Sequence, residues 1–161
     1  MKTIIRTLIA SSIFCISTTA TADGHGHHKN HDDSGMVTIS SHHDVATTAN
    51  KLEQIFVAKG MTVFARIDHS AGAKKVGKTL RPTELVTFGN PNIGTVLMQC
   101  AQSVGIDLPQ KMLIWEDAKG TTHIGYNAPR YLAKRHSIAG CDGVIKKVTG
   151  ALNKFAQVAA Q

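Results

Sequence analysis

Apolar positions along this chain fall into short runs with two different periods. Residues 37–40 read as a short strand. From residue 44 to 59 the apolar set Val45, Ala49, Leu52 and Phe56 recurs near every 3.6 residues, with Gly60 as the C-terminal stop; this predicts a helix. Met61, Val63, Ala65 and Ile67 then alternate, which predicts a strand over 61–68 with those four on one face. Residues 71–80, rich in glycine and lysine, read as irregular or a single helical turn, and 83–88 as a strand ending at Gly89. Asn90-Pro91 marks a helix start, with asparagine as cap and proline where no N–H is needed. The face Ile93, Val96, Leu97, Cys100 and Val104 carries that helix to Gly105. Residues 111–116 and 121–126 flank Asp117-Ala118-Lys119-Gly120 as a hairpin. A short helix over 129–136 follows, then a long one with the stripe Val144, Ile145, Val148, Leu152, Phe155 and Ala159. Strands joined by hairpin-length links favour an antiparallel sheet with helices on one face, an α+β domain over residues 36–161.

Ahead of that domain the pattern changes twice. Lys2 and Arg6, an apolar run over residues 8–16 and Ala20-Thr21-Ala22 have the layout of an export signal cleaved after Ala22. The run is shorter than the ~20 residues that span a bilayer, so no stable membrane anchor is expected. The reading is therefore a signal peptide over 1–22 and a periplasmic or secreted, soluble product. Residues 23–35 contain no apolar side chain and are expected to form a disordered leader. It is rich in histidine: of nine in the chain, four lie between residues 25 and 31.

Cleavage after Ala22 would leave Asp23-Gly24-His25 at a free amino terminus. The amine, the amides of Gly24 and His25 and the His25 ring make four nitrogens in a plane, which suits Cu(II) first and Ni(II) next. His27, His28 and His31 offer further ligands. In the domain, His42 and His43 read as loop histidines, while His123 and His136 have no metal-ligand partner at a readable spacing.

Some residues succeed one another in a familiar order: Ile67-Asp68-His69, Leu80-Arg81-Pro82-Thr83-Glu84-Leu85, Phe88-Gly89-Asn90-Pro91 with Gly94-Thr95, Leu108-Pro109, Trp115-Glu116-Asp117 and Tyr126-Asn127-Ala128-Pro129. On these the chain resembles the domain-of-unknown-function family 302. The resemblance implies a TATA-binding-protein-like fold, in which a sheet of antiparallel strands grips a C-terminal helix, and frequently a homodimer. It implies no activity.

A ligand site is read from polar groups at strand ends: Asp68, His69, Arg81, Glu84, Asn90 and Asn127 are expected to converge at one rim of the sheet. Arg81 suits a carboxylate or phosphate, and His69 tuned by Asp68 suits a general base. A structural alternative makes Asn90 a helix cap, Asp68 a turn residue and Arg81 with Glu84 a salt bridge. The formal charge of +7 and the basic stretch Lys74, Lys75, Lys78 and Arg81 point to a solvated face or anionic partners. Export, 5% aromatic content and the absence of a recognition motif argue against nucleic acid. Cys100 and Cys141 remain after cleavage and are a candidate disulfide.

The favoured reading is an exported, non-enzymatic domain that binds a small unidentified ligand and carries a copper- or nickel-chelating leader. A small periplasmic enzyme using His69, Arg81 and Asn127 on an anionic or carbonyl substrate is the runner-up. A structural or dimeric interaction protein is the third reading.

Overall fold

The computed structural model describes residues 34–161; the metal ligands expected at Asp23, Gly24, His25, His27, His28 and His31, and the expected signal peptide, lie outside the described residues. The elements run β1 (Met36–Ser41), α1 (Val45–Ala58), β2 (Thr62–Asp68), α2 (His69–Lys75), β3 (Thr83–Gly89), α3 (Pro91–Cys100), a 3-10 turn (Gln102–Ile106), β4 (Gln110–Glu116), β5 (Thr122–Asn127), α4 (Pro129–Arg135) and α5 (Asp142–Ala160).

All strand pairs are antiparallel, in the order β1-β5-β4-β3-β2. The expected α+β class and the sheet with helices packed on one face are therefore what the chain forms. α1 and α5 lie on that face because their stripes point into one core: Ala49, Leu52 and Phe56 from α1, Leu152, Phe155 and Ala156 from α5, over Val86, Phe88, Met112, Ile114 and Ile124 of the strands. Phe56 stacks on Phe88 at 3.6 Å between ring centroids and meets Phe155 edge-on at 5.7 Å. On the opposite face Leu85, Leu113 and Trp115 are only partly buried. Trp115 lies over Gly125, where a β-carbon would stand 2.8 Å from the indole.

Local signals explain most boundaries. Asp44 caps α1 by accepting from Thr47 N–H at 2.6 Å, and Asn90 caps α3 by accepting from Asn92 N–H at 2.9 Å. Gly60 ends α1 with φ +67°. In the β4–β5 turn, Asp117 accepts from Lys119 and Thr121 N–H groups, and Gly120 takes φ +79°.

Three expectations need correction. First, the alternating residues of β2 do not share a face. Val63 pairs with Phe88 and Ala65 with Thr87, so Phe64 is an extra, bulged residue. Beyond it the faces are exchanged: Val63 packs on the core, whereas Arg66 turns toward α1 and Ile67 is 42% exposed. Second, the helix starting at Asn90 does not run to Gly105. Ala101 is extended (φ −157°, ψ 103°), and the chain resumes as the 3-10 turn, which tucks Val104 against Leu97 and Ile145. Third, residues 69–75 form a short helix, capped by Asp68 accepting from Ala71 N–H.

Candidate functional site

α3, inserted between β3 and β4, creates a cleft. Its floor is the end of the sheet, Phe88 and Gly89, with Met61 and Phe64 beside them. One wall is α3, presenting Ile93, Gly94, Leu97 and Met98, continued by Gly105, Leu108 and Pro109 beyond the 3-10 turn. The other wall is α5, presenting Val148, Ala151, Leu152 and Phe155. The enclosed volume is about 380 Å³. A β-carbon on Gly89 would stand 3.4 Å from Phe64, and one on Gly94 3.8 Å from Leu108, both ordinary contact distances. Phe64 and Met98, 55% and 38% exposed, border the mouth.

The polar lining is sparse. Asn90, Thr95, Gln110 and Lys147 supply it, and Asn90 is already engaged, capping α3 with Oδ1 and donating from Nδ2 to Gly60 C=O at 3.4 Å. Lys147 is the one charged lining residue and is exposed. No imidazole, thiol or carboxylate lines the cleft. Such a surface rewards burial of apolar area and offers a single amine, at Lys147, for polar contact with a ligand.

The far end of the cleft is fastened covalently. Cys100, the last residue of α3, is bonded to Cys141, the cap of α5; their Cα atoms are 6.4 Å apart. The bond joins the cleft's two walls.

The six polar residues expected to share one rim are divided instead. Asp68 and Glu84 are register partners at one end of the sheet. Arg81 lies at that end too, but its Nε donates to Glu116 C=O at 3.0 Å. Glu84 pairs with Arg66 at 2.5 Å, so an Arg81–Glu84 bridge is not formed. Asp68 accepts from Ser70 and Ala71, and those bonds, the Ser70 hydroxyl first, lower its pKa. His69 is exposed at the start of α2. An open hollow of about 490 Å³ beside α2 includes Asp68, Lys74 and Lys78, but not His69, Arg81 or Glu84. Asn90 and Asn127 sit at the opposite end of the sheet, and of the six only Asn90 reaches the cleft.

Three further histidines have side-chain partners. His43 Nε2 accepts from Lys51 Nζ at 2.7 Å. His123 meets Asp117 at 2.8 Å and stacks on Trp115; the imidazole, with the Thr121 N–H second, holds the Asp117 carboxyl down at about 2. His136 contacts both Asp107 and Ser103, 29 and 33 residues away, a meeting that no local spacing in the sequence signals. Among the described residues no three His, Cys, Asp or Glu side chains form a metal cradle.

Comparison with known proteins places the fold in context. The family model described as "Domain of unknown function DUF302" matches residues 37–155. A crystal structure of an uncharacterised conserved DUF302 protein from Bacillus stearothermophilus superposes with a TM-score of 0.71 at 18% identity, covering 79% of this chain and 98% of that one. Two curated relatives, both called fluoride-specific ion channel FluC 1, come from Brucella suis biovar 1 and Brucella abortus biovar 1. Each is 47% identical over 128 residues, 77% of this chain. The chain spans only about half of their length, 50% and 47%.

Proposed function

From a chain that belongs to the DUF302 family, a membership that brings no activity with it, we propose a binding function: the domain holds a small apolar or amphipathic molecule between α3 and α5. The observation that carries this reading is the cleft itself. Its volume of about 380 Å³ falls in the range of small-molecule sites, and its lining is almost wholly apolar. Monomer surfaces seldom leave such a concave apolar patch open without use for it. A lining whose one titratable side chain is Lys147, without imidazole, thiol or carboxylate, favours binding over catalysis there.

Decanoate is a suitable probe, with its chain on Leu97, Leu152 and Phe155 and its carboxylate toward Lys147 at the rim. Titration calorimetry of the full chain should give saturable binding with a negative heat-capacity change. Ala151→Trp, which fills the cleft from the α5 wall, should abolish it. Equal binding by a folded Ala151→Trp variant would remove the proposal.

The export reading is proposed on residues 1–22 and is supported by the Cys100–Cys141 bond, since such bonds persist in oxidising compartments. The copper-chelating terminus is proposed on Asp23-Gly24-His25 alone. Ion conduction, the property named for the two relatives, we assign to the part of those proteins that this chain does not match. No helix among the described residues is long and apolar enough to cross a membrane.

A further inference from the structure

Outside the cleft, the 3-10 turn and the end of α4 bring together a serine, a histidine and an aspartate. His136 is the C-cap of α4, and its side chain is 7% exposed. Its Nε2 stands 2.6 Å from Asp107 Oδ2, and its Nδ1 stands 3.1 Å from Ser103 Oγ. A carboxylate only accepts, so with a neutral ring Nε2 carries the proton and Nδ1 presents its lone pair. The Ser103 hydroxyl therefore donates to Nδ1. Arg135 Nη1 stands 3.4 Å from the other oxygen of Asp107, so the carboxylate is held from two sides.

A hydroxyl on an imidazole lone pair, with the ring oriented by a carboxylate, is the relation of nucleophile, base and orienting group in acyl transfer. Accessibility fits the roles. The ring is buried and held on both sides, whereas Ser103 is exposed, so an incoming carbonyl can reach Oγ. The turn also separates this trio from the cleft: Gly105 lines the cleft, while Ser103 and Asp107 face His136.

We propose that Ser103 is a nucleophile for short, activated carboxylic esters. Ser103 Oγ bonds to the ester carbonyl carbon as its proton passes to His136 Nδ1. The C–O bond to the leaving alcohol breaks, and that alcohol takes the proton from His136. Water, deprotonated by the same nitrogen, then attacks the acyl-serine; the carboxylic acid departs and Ser103 regains its proton. No redox partner is needed. The exposed position of Ser103 favours small acyl groups with good leaving groups.

The test uses 4-nitrophenyl acetate and the full chain. The expected result is a burst of 4-nitrophenolate, with the acetyl group located on Ser103 by peptide mass mapping. Ser103→Ala, a change at an exposed site, should remove that adduct and the burst. His136→Gln should slow acylation by on the order of a hundredfold. Because His136 is buried, Asp107→Asn serves as a second test of the relay if that variant does not fold; it should slow acylation while the melting temperature shows a folded chain. An acetyl group found only on lysines, or a Ser103→Ala variant that reacts at the unaltered rate, overturns the proposal and leaves His136 a helix-capping residue.

Discussion

Breaking the Cys100–Cys141 bond should be the most costly single chemical change that leaves every other side chain in place. The bond closes a loop of 41 residues that contains β4, β5 and α4. In the chain-entropy model, releasing a loop of that length returns about 4 kcal/mol of freedom to the unfolded chain. Unfolding entropy near 2.1 cal/mol/K per residue, taken over residues 34–161, is roughly 270 cal/mol/K, so the melting temperature should fall by about 15 °C. The assay is far-UV circular dichroism of oxidised protein, of protein kept in reductant, and of Cys100→Ala/Cys141→Ala. Alanine is chosen because Cys141 is 6% exposed and a hydroxyl there would be buried without a designed partner. The double variant should melt with the reduced protein and ignore added reductant. Because the bond also joins α3 to α5, decanoate binding should weaken in both. A shift under about 3 °C would refute the entropic reasoning, and two free thiols in non-reduced protein exported to the periplasm would refute the bond.

Other predictions follow from single contacts. Asp117, held at about 2 by His123 and Thr121, supports the β4–β5 turn only while ionised. Its folded value is depressed, so its contribution is full above the ordinary value of 3.8 and is lost as pH falls toward about 2; melting curves of Asp117→Asn should lack that acid-side step. At Gly125 a methyl group would meet Trp115 at 2.8 Å and the Met36 sulfur at 3.3 Å, so Gly125→Ala should cost ~1–3 kcal/mol in urea unfolding and displace the indole, seen as a shift in tryptophan emission. A chain beginning at Asp23 should bind one Cu(II) with a visible band of square-planar nitrogen ligation, weakening at lower pH as protons compete; the band should vanish in His25→Ala.

Much of the architecture was readable because local chemistry dictates it. Asn90-Pro91 announces α3, Asp117 with Gly120 announces the β4–β5 turn, and the stripes of α1 and α5 announce the core face. The bulge at Phe64 was not readable, because Met61, Val63, Ala65 and Ile67 keep an apolar alternation straight through it. Nor was the break at Ala101, where neither glycine nor proline interrupts the pattern; the chain turns because Val104 finds Leu97 and Ile145. The expected polar rim failed for a reason of direction. Asp68 follows β2 and Asn90 follows β3, and successive antiparallel strands end on opposite rims. Asn127 does finish at the same end as Asn90, but β4 lies between their strands, which sets them about 10 Å apart across the sheet. The cleft was hidden for a different reason. Leu97, Leu152 and Phe155 belong to the apolar stripes of their helices, and apolar periodicity alone does not distinguish a face packed against protein from one that borders an opening.

The bulge in β2 has a bearing on how the molecule behaves among copies of itself. β2 is an outer strand, so one row of its peptide groups has no strand partner in the sheet, and Phe64 and Ile67 are exposed along it. A straight strand with those side chains would invite another chain to add on, the first step toward aggregated sheets. The extra residue at Phe64 interrupts the even spacing that such addition needs. It also swings Arg66 inward over the sheet, where Glu84 holds it and where an arriving strand would have to bury a charge. The irregularity that spoils the sequence pattern thus serves as a guard on the sheet's open margin.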